Sequence, residues 1–308
     1  MLHKQCFTYP GRMRIDPELA ETVAVILDEG SMDAAARVLH ITPSAVSQRV
    51  KQLEQQLGRV LVVRGRPATS TPAGEAVARM ARQLRLLQHD AAARLGVAAD
   101  EGARLRIPLA VNADSMATWF LPPLAELSRT HGVDAELHRE DQSYTARLLE
   151  SGVVMAAVTS QAEPVAGCVV RPLGVLVYEA VATQAFVEHW FPEGVTREAL
   201  AHAPFIDFDR RDALQQDWLR GQGVDPLGVP RHYVPGSADF AEAVRLGMGW
   251  GMLPALQRVV DADGDDLVPL GGRPARVPLH WQRWDLRSEL LDAVTAAVAA
   301  EAERVLER

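Results

Sequence analysis

The sequence has few cysteines and no long apolar run, and both shortages exclude whole classes of protein. Its 308 residues contain two cysteines, Cys6 and Cys168, far apart in the chain. This number and spacing argue against a disulfide framework and a zinc site, and they fit a reducing cytoplasm. No apolar run reaches the roughly 18 residues that a membrane span needs, and the first residues lack the pattern of a signal peptide. We therefore expect a cytoplasmic protein that does not enter the membrane.

The length and composition are those of a folded protein with more than one domain. The chain is too long for one small domain and suits two or three. Apolar residues make up 48% of it and charged residues 23%, which is ordinary for a globular protein. This mixture excludes a disordered or collagen-like chain.

The net charge of −8 is unevenly distributed along the chain. Residues 34–70 contain six basic side chains and one acidic side chain, a net charge of +5, and the residues on either side are net negative. A compact basic segment in an acidic chain is typical of a DNA-binding domain joined to a domain with another role. For this segment taken alone, an ordinary solvated cluster of charges is the alternative.

Residues 16–57 carry the start and stop signals of three helices, which we place at 17–29, 32–39 and 43–57. The apolar residues of the third helix share one face, and its short polar residues lie on the others. Two helices joined by a tight turn, the second with a polar front, form the helix-turn-helix design, whose second helix enters the major groove of DNA. A small helical bundle without DNA is the alternative. The signals are cap residues, prolines and a glycine: Asp16-Pro17, Gly30, Ser31 and Thr42-Pro43.

A short basic wing is predicted after the third helix. Residues 61–63 have the pattern of a strand, and the turn at 64–67 carries two arginines. Gln48 suits a pair of hydrogen bonds with adenine, the serines suit bases or phosphates, and the arginines suit phosphates or the minor groove. The residues that we expect to contact double-stranded DNA are Ser31, Thr42, Pro43, Ser44, Ser47, Gln48, Lys51, Arg64 and Arg66.

The region 14–74 resembles the N-terminal domain of LysR-type transcriptional regulators. The resemblance rests on Gly-Ser-Met-Asp-Ala-Ala-Ala-Arg-Val-Leu-His at 30–40 and Ile-Thr-Pro-Ser-Ala-Val-Ser-Gln-Arg-Val-Lys-Gln-Leu-Glu-Gln-Gln-Leu-Gly at 41–58. It implies a winged helix-turn-helix domain over 14–72. Residues 1–13 then form an N-terminal extension.

A long helix is predicted to link this domain to the rest of the chain, within a linker and hinge over 73–103. Apolar residues recur in it at spacings of three, four and seven, and a helix of its length rises about 36 Å. We expect the apolar stripe to pack against a twin helix in a homodimer, so that two domains read an interrupted palindrome. Packing against the chain's own body is the alternative. The stripe consists of Val77, Met80, Leu84, Leu87, Ala91 and Leu95.

The region 104–308 alternates between strand and helix patterns, which predicts a parallel sheet with covered faces. We expect two α/β lobes joined by crossing strands, with a ligand in the cleft beyond the strand ends. Lobe I takes 104–164 and 269–308, and lobe II takes 165–268. The predicted helices are 116–130, 144–150, 238–246 and 288–306. The predicted strands are 105–111, 133–139, 153–158, 169–182, 205–208, 232–234, 251–253 and 279–284.

This region resembles the effector-binding domain of the ArgP/LysG branch of the same family. The resemblance rests on Leu-Ala-Val-Asn-Ala-Asp-Ser-Met-Ala-Thr-Trp-Phe-Leu-Pro at 109–122 and on shorter stretches at 156–160, 191–196, 203–209 and 279–284. The resemblance implies a fold like that of periplasmic solute-binding proteins, lysine or arginine as the effector, and no cofactor. It also implies control of a basic amino-acid export or metabolism gene, a dimer or tetramer, and RNA polymerase as a partner.

The chemistry of a basic amino acid suggests where it would bind. Its carboxylate suits a helix N-terminus, such as those expected at 115–117 and at Ser237. Its cations need carboxylates, and Trp119, Phe208 or Trp250 could cover its aliphatic stem. For any single acid, a helix cap or a solvated loop is the alternative. The expected effector-binding residues are Asn112, Asp114, Ser115, Met116, Trp119, Glu140, Asp141, Thr159, Asp207, Asp209 and Ser237.

Two other classes of function remain open. An enzyme could be built on the solute-binding fold, but the sequence has no nucleophile elbow, no metal-spaced histidine pair and no phosphate loop. We therefore predict no catalytic or metal-binding residues. An architectural DNA-binding protein that ignores small ligands is the third class.

Overall fold

A computed structural model describes residues 14–96, 104–139, 142–258 and 267–308. The predicted extension at 1–13 and the predicted hinge after residue 96 lie outside the described residues. The chain forms two compact units, with the boundary in the sequence after Glu101. Among the described helices, none combines the length and the apolar character that crossing a bilayer requires.

The first unit is a winged helix-turn-helix followed by a long helix. The two short strands pair antiparallel, with Val62 opposite Ser70 and Val63 opposite Thr69, and they form the predicted wing. The elements of this unit are α1 Pro17–Glu29, α2 Met32–Val38, α3 Pro43–Leu57, β1 Val62–Val63, β2 Thr69–Ser70 and α4 Pro72–Arg94.

Each helix of this unit begins at a side-chain cap. The hydroxyl oxygens of Ser31, Thr42 and Thr71 accept hydrogen bonds from backbone N–H groups three residues later, at 3.1, 3.2 and 3.1 Å. The Asp16 carboxylate accepts the N–H of Glu18 at 2.9 Å. These bonds satisfy N–H groups that a helix start leaves without partners. The helix starts are therefore fixed by local sequence.

The long helix α4 divides its apolar residues between two roles. Val77, Ala78 and Ala81 are buried in the core of the first unit, where α4 packs against α1. Further along, Leu87 is 39% exposed, and Leu95, which caps the end of the helix, is 76% exposed. The start of the predicted stripe thus packs on its own domain, and the later part presents apolar surface.

The second unit is built on a seven-stranded sheet and a separate pair of parallel strands. The strands are β3 Leu105–Val111, β4 Val133–Arg139, β5 Ala156–Thr159, β6 Cys168–Ala182, β7 Phe205–Asp207, β8 Arg231–Tyr233, β9 Gly251–Pro254, β10 Val268–Pro269 and β11 Ala275–Trp284. The large sheet has the order β10-β6-β11-β5-β3-β4, with β9 also paired to β6, and β7 pairs with β8 outside it. The prediction of a parallel sheet is wrong for this sheet, which is mixed: β3 pairs parallel with β4 and β5, but the long strands β6 and β11 pair antiparallel. The helices are α5 Ala113–Thr118, α6 Leu121–His131, α7 Gln142–Glu150, α8 Gln184–Trp190, α9 Arg197–His202, α10 Leu214–Gly221, α11 Ser237–Arg245, α12 Ala255–Arg258 and α13 Glu289–Val305, with a 3-10 turn at Pro226–Gly228.

The two long strands β6 and β11 belong to both ends of the sheet. At one end β11 pairs with β5, next to the parallel strands β3 and β4. At the other end β6 pairs with β9 and β10. The register between the long strands shifts between Leu279 and His280, where the partner strand carries one extra residue. This is the predicted pair of lobes joined by crossing strands.

Several helices differ from the sequence prediction. The helix predicted at 116–130 begins earlier and is split into α5 and α6, because Pro122 and Pro123 fit only the first turn of a helix. The helices α8, α9 and α10 were not predicted. Each has at most eight residues, so its apolar pattern extends over only about two turns and is a weak signal.

Candidate DNA-binding surface and effector cavity

The helix α3 has a buried apolar face and an exposed polar face. Val46, Val50 and Leu53 are buried in the core of the first unit. On the polar face Thr42, Pro43, Ser44, Gln48 and Lys51 are exposed, and Ser47 is half-buried. The N-terminal half of α3 therefore presents short polar side chains and one amide, which suits base edges in a major groove.

The wing lies beside this face of α3. The Arg64 guanidinium donates a hydrogen bond to the Ser47 hydroxyl at 3.5 Å, and Arg64 and Arg66 are both exposed. By contrast, Arg49 points to the other side of α3, where it pairs with Glu18 at 3.2 Å. Ser31 is half-buried and caps α2. Helix and wing thus form one polar surface with two arginines available for phosphates.

The second unit contains a cavity of about 430 Å³, a size typical of sites for small molecules. It lies where the end of β3 meets the crossing strands and the starts of α10 and α11. Three carboxylates and one guanidinium, Arg211, line it together with apolar side chains. The polar lining residues are Asn112, Asp114, Tyr178, Asp209, Arg211, Asp212, Gln215, Ser237 and Gln257.

Asp114, at the start of α5, bonds across this cavity to the crossing strand β6 and to the start of α11. One of its oxygens accepts a hydrogen bond from the Tyr178 hydroxyl at 2.6 Å, and the other accepts one from the Ser237 hydroxyl at 2.6 Å. Gln257 in turn donates to Ser237 at 2.9 Å. Burial, reinforced by the charge of Asp114, raises the pKa of Tyr178 well above its ordinary value. The phenol therefore stays protonated as a donor.

The loop before α10 carries the other two carboxylates. Asp209 accepts the backbone N–H groups of Arg211 and Asp212 at 2.6 and 3.0 Å, and Asp212 accepts that of Leu214 at 3.0 Å. Burial raises the pKa of Asp212, and the nearby charges of Asp114 and Asp209 raise it further. Acidic groups that repel one another around one cavity favour a cationic ligand.

Comparison with known families identifies both units. Residues 18–75 match the family described as bacterial regulatory helix-turn-helix protein, lysR family, and residues 100–303 match the LysR substrate binding domain. The chain belongs to the LysR family. The predicted fold is confirmed: a winged helix-turn-helix, a long helix and an α/β substrate-binding domain.

Relatives of this LysR-family chain are transcriptional regulators. The HTH-type transcriptional regulator LysG of Mycobacterium tuberculosis is 43% identical over 93% of each chain. The lysine export transcriptional regulatory protein LysG of Corynebacterium efficiens is 41% identical over 92% of this chain and 97% of its own. These similarities confirm that this protein is a DNA-binding transcriptional regulator.

Two solved structures have the same fold over nearly their whole length. ArgP from Mycobacterium tuberculosis has a TM-score of 0.81 at 42% identity, covering 96% of this chain and 99% of its own. Full-length LysG from Corynebacterium glutamicum with bound effector Arg has a TM-score of 0.72 at 38% identity, covering 96% of this chain and 100% of its own.

In this regulator four of the predicted effector residues line the cavity: Asn112, Asp114, Asp209 and Ser237. Five others lie elsewhere in the second unit. Ser115 and Trp119 are buried, Met116 is half-buried outside the lining, Thr159 accepts the N–H of Gln161, and Asp207 pairs with Arg231. Glu140 and Asp141 lie outside the described residues. Of the aromatic residues suggested for the stem, Phe208 lines the cavity, while Trp119 and Trp250 belong to the core.

Sequence reasoning missed five polar residues of the lining: Tyr178, Arg211, Asp212, Gln215 and Gln257. Asp212 stands before an apolar pattern at Leu214 and Trp218, so a helix-start signal was available. Tyr178 lies in a long apolar strand, and its position against Asp114 depends on strand pairing that the sequence does not reveal.

The buried Asp207 should make stability depend on pH. Burial raises its pKa from 3.8 to about 6, although the paired Arg231 acts in the opposite direction. Because the folded-state pKa lies above the unfolded one, the native state binds the proton more tightly. The stability that this tighter proton binding gives the folded state is complete below pH 3.8 and is lost as the pH rises through about 6.

We expect Asp207→Asn to remove this dependence. Urea unfolding of the wild type and the variant between these two pH values should show a wild-type stability that falls with pH and a flatter profile for the variant. Asp225→Asn, at an exposed carboxylate, is the control and should keep the wild-type slope. Equal slopes for all three proteins would contradict the assignment.

Proposed function

We propose that this protein regulates transcription in response to a basic amino acid, arginine or lysine, and controls a gene for the export or metabolism of such an amino acid. The observation that carries the proposal is the cavity lined by Asp114, Asp209 and Asp212. A ligand with two cationic groups and one carboxylate matches three carboxylates and one guanidinium. The relatives support it, since one is named a lysine export regulator and another was solved with bound Arg.

The proposal assigns DNA binding to the polar surface of α3 and the wing. Its residues are Ser31, Thr42, Pro43, Ser44, Ser47, Gln48, Lys51, Arg64 and Arg66. Ser31 and Thr42 serve first as helix caps, so their contribution is to position the two helices. Gln48, Lys51 and the two arginines are exposed and carry the contacts to bases and phosphates.

Replacing Gln48 with alanine should weaken binding to the specific site about 10- to 100-fold, because an amide that pairs with adenine contributes about 1–3 kcal/mol of discrimination. Binding to unrelated DNA should change little, since Gln48 carries no charge. Fluorescence anisotropy at one fixed salt concentration measures both affinities. Gln56→Ala, an exposed position near the end of α3, is the matched control. Equal losses on specific and unrelated DNA would contradict the assignment.

The proposal also includes a homodimer formed through α4, and a tetramer of two such dimers. The exposed Leu87 and Leu95 continue the apolar stripe beyond the part that packs on α1. A twin helix would cover them. Two domains held in this way read the halves of an interrupted palindromic promoter site, where the regulator meets RNA polymerase in the cytoplasm. We assign no catalytic residue, and the relatives are named as transcriptional regulators.

Effector binding acts by changing the arrangement of the lobes. Asp114 bonds to Tyr178 and Ser237 from the other side of the cavity. A cation that binds the Asp114 carboxylate competes with these two hydroxyls and so changes the contacts between the lobes. A ligand shifts such an equilibrium only through unequal affinity for the two arrangements.

A thermal-shift screen of the full chain against the standard amino acids tests the proposal. A ligand at roughly 100 times its dissociation constant adds about 2.7 kcal/mol of stability, a clear rise in melting temperature. We expect the rise for arginine or lysine and not for glutamate or leucine. No shift with any basic amino acid would contradict the proposed effector and favour a regulator or architectural protein that ignores amino acids.

A further inference from the structure

Three amide oxygens in the cavity wall, those of Asn112, Gln215 and Gln257, have no hydrogen-bond partner among the described residues. Gln215 lines the cavity with 1% of its surface exposed, and its side-chain oxygen is buried and unpaired. The side-chain oxygen of Asn112 is also buried and unpaired. Asn112 stands at the start of α5, yet its side chain makes no capping bond. A buried acceptor left unpaired costs about 1–3 kcal/mol, so each of these oxygens requires a donor.

The oxygens of Asn112 and Gln215 come from different lobes. Asn112 directly follows β3, and Gln215 lies in the first turn of α10. The neighbouring Gln216 shows the opposite pattern, because its amide nitrogen donates to Asp207 at 3.2 Å and to the backbone oxygen of Asp212 at 3.3 Å. Of these two adjacent glutamines of α10, the one that lines the cavity is therefore the one whose side-chain oxygen is buried and unpaired.

The chemistry of the missing partner follows from its surroundings. An oxygen acceptor needs an N–H or O–H donor, and an anion supplies neither. An ammonium offers three N–H donors, and a guanidinium offers five in a planar fork. The carboxylates of Asp114 and Asp212 line the same cavity and favour a positively charged donor over a neutral one.

We propose that Gln215 is a specificity-determining residue for the effector, and that its side-chain oxygen and that of Asn112 accept N–H groups from the effector's cationic end. The inference rests on the proposed function and deepens it. The carboxylates of Asp114 and Asp212 supply the negative charge that attracts the cation, and the two amide oxygens orient its N–H groups. Because they stand on different lobes, one cation that bonds to both links the lobes.

Isothermal titration calorimetry of the full chain with L-arginine and with L-lysine tests this role. Gln215→Met keeps the length of the side chain and removes the acceptor. We expect affinity to fall about 10- to 100-fold, the range for a hydrogen bond to a charged group. Gln215→Glu keeps an acceptor and adds charge, so it should bind both ligands at least tenfold more tightly than Gln215→Met. Gln184→Met, on the exposed start of α8, should bind like the wild type.

The outcomes separate this inference from the proposed function. If the wild type binds neither ligand, the proposed basic amino-acid effector is wrong, and so is the proposed role of Gln215. If the wild type binds and a folded Gln215→Met binds equally well, only the role of Gln215 is overturned. Should the Met variant not fold, a Gln215→Glu variant with markedly weaker binding than the wild type would overturn it instead.

Discussion

Replacing Asp114 with alanine should reduce the affinity for arginine or lysine about 100-fold or more. Losing one partner of a buried, hydrogen-bonded charge pair costs about 2–5 kcal/mol. Among the described residues that line the cavity, Asp114 is the carboxylate that bonds to two hydroxyls, those of Tyr178 on the crossing strand β6 and of Ser237 at the start of α11. Its removal takes away a charge for the cation and the link between the lobes. Calorimetry of the purified full chain measures the loss.

Two further variants separate charge from general effects on the fold. Asp114→Asn keeps one oxygen acceptor for a hydroxyl but removes the charge, so its loss of ligand affinity should approach that of Asp114→Ala. Asp217→Ala removes an exposed carboxylate from α10 that pairs with Arg220 at the surface, and it should bind like the wild type. If the Asp114 variants bound the ligand as tightly as Asp217→Ala does, Asp114 would not bind the effector.

Replacing Gly74 with alanine should destabilise the winged helix-turn-helix by about 2–4 kcal/mol, the upper range for overpacking a tight contact. A methyl group at this position would lie 2.0 Å from the backbone oxygen of Leu61. That oxygen also accepts the N–H of Thr71 at 3.0 Å, so it cannot move away without breaking the junction between the wing and α4. Urea unfolding followed by circular dichroism measures the effect.

A matched change on the same helix isolates the steric cause. Ala76 lies on the exposed face of α4, and Ala76→Gly costs only the helix propensity of about 0.5–1 kcal/mol. The Gly74→Ala variant should also bind specific DNA poorly, because the wing would lose its position beside α3. A Gly74→Ala protein as stable as Ala76→Gly would contradict the close packing of α4 against this segment.

The DNA-binding unit could be predicted almost completely from the sequence. Its helices begin at Asp16, Ser31, Thr42 and Thr71, and each cap bonds to N–H groups two or three residues away. Such signals are local, so neither long-range pairing nor tertiary packing has to be known. It was harder to predict which residues of α4 pack in the core of the first unit and which stay exposed, because this depends on how far α1 extends beside α4.

The cavity could be predicted only where a residue follows a strand end. Asn112 and Asp114 follow β3, and Ser237 begins α11, positions where ligands of open sheets are expected. Trp119 followed the same strand but turned into the core, since α5 ends there and α6 begins after it. Tyr178 and Gln215 depend on the register of β6 and on the short helix α10, and the sequence signals for both are weak.

The central claim is that one chain joins sequence-specific DNA binding to recognition of a basic amino acid. Selection of genomic DNA fragments by the purified full chain, with footprinting in the presence and absence of L-arginine or L-lysine, tests it most directly. We expect enriched fragments that share an interrupted palindrome, and a protected region or affinity that changes with arginine or lysine but not with glutamate. Enrichment without a shared sequence, or footprints that no basic amino acid alters, would contradict the claim.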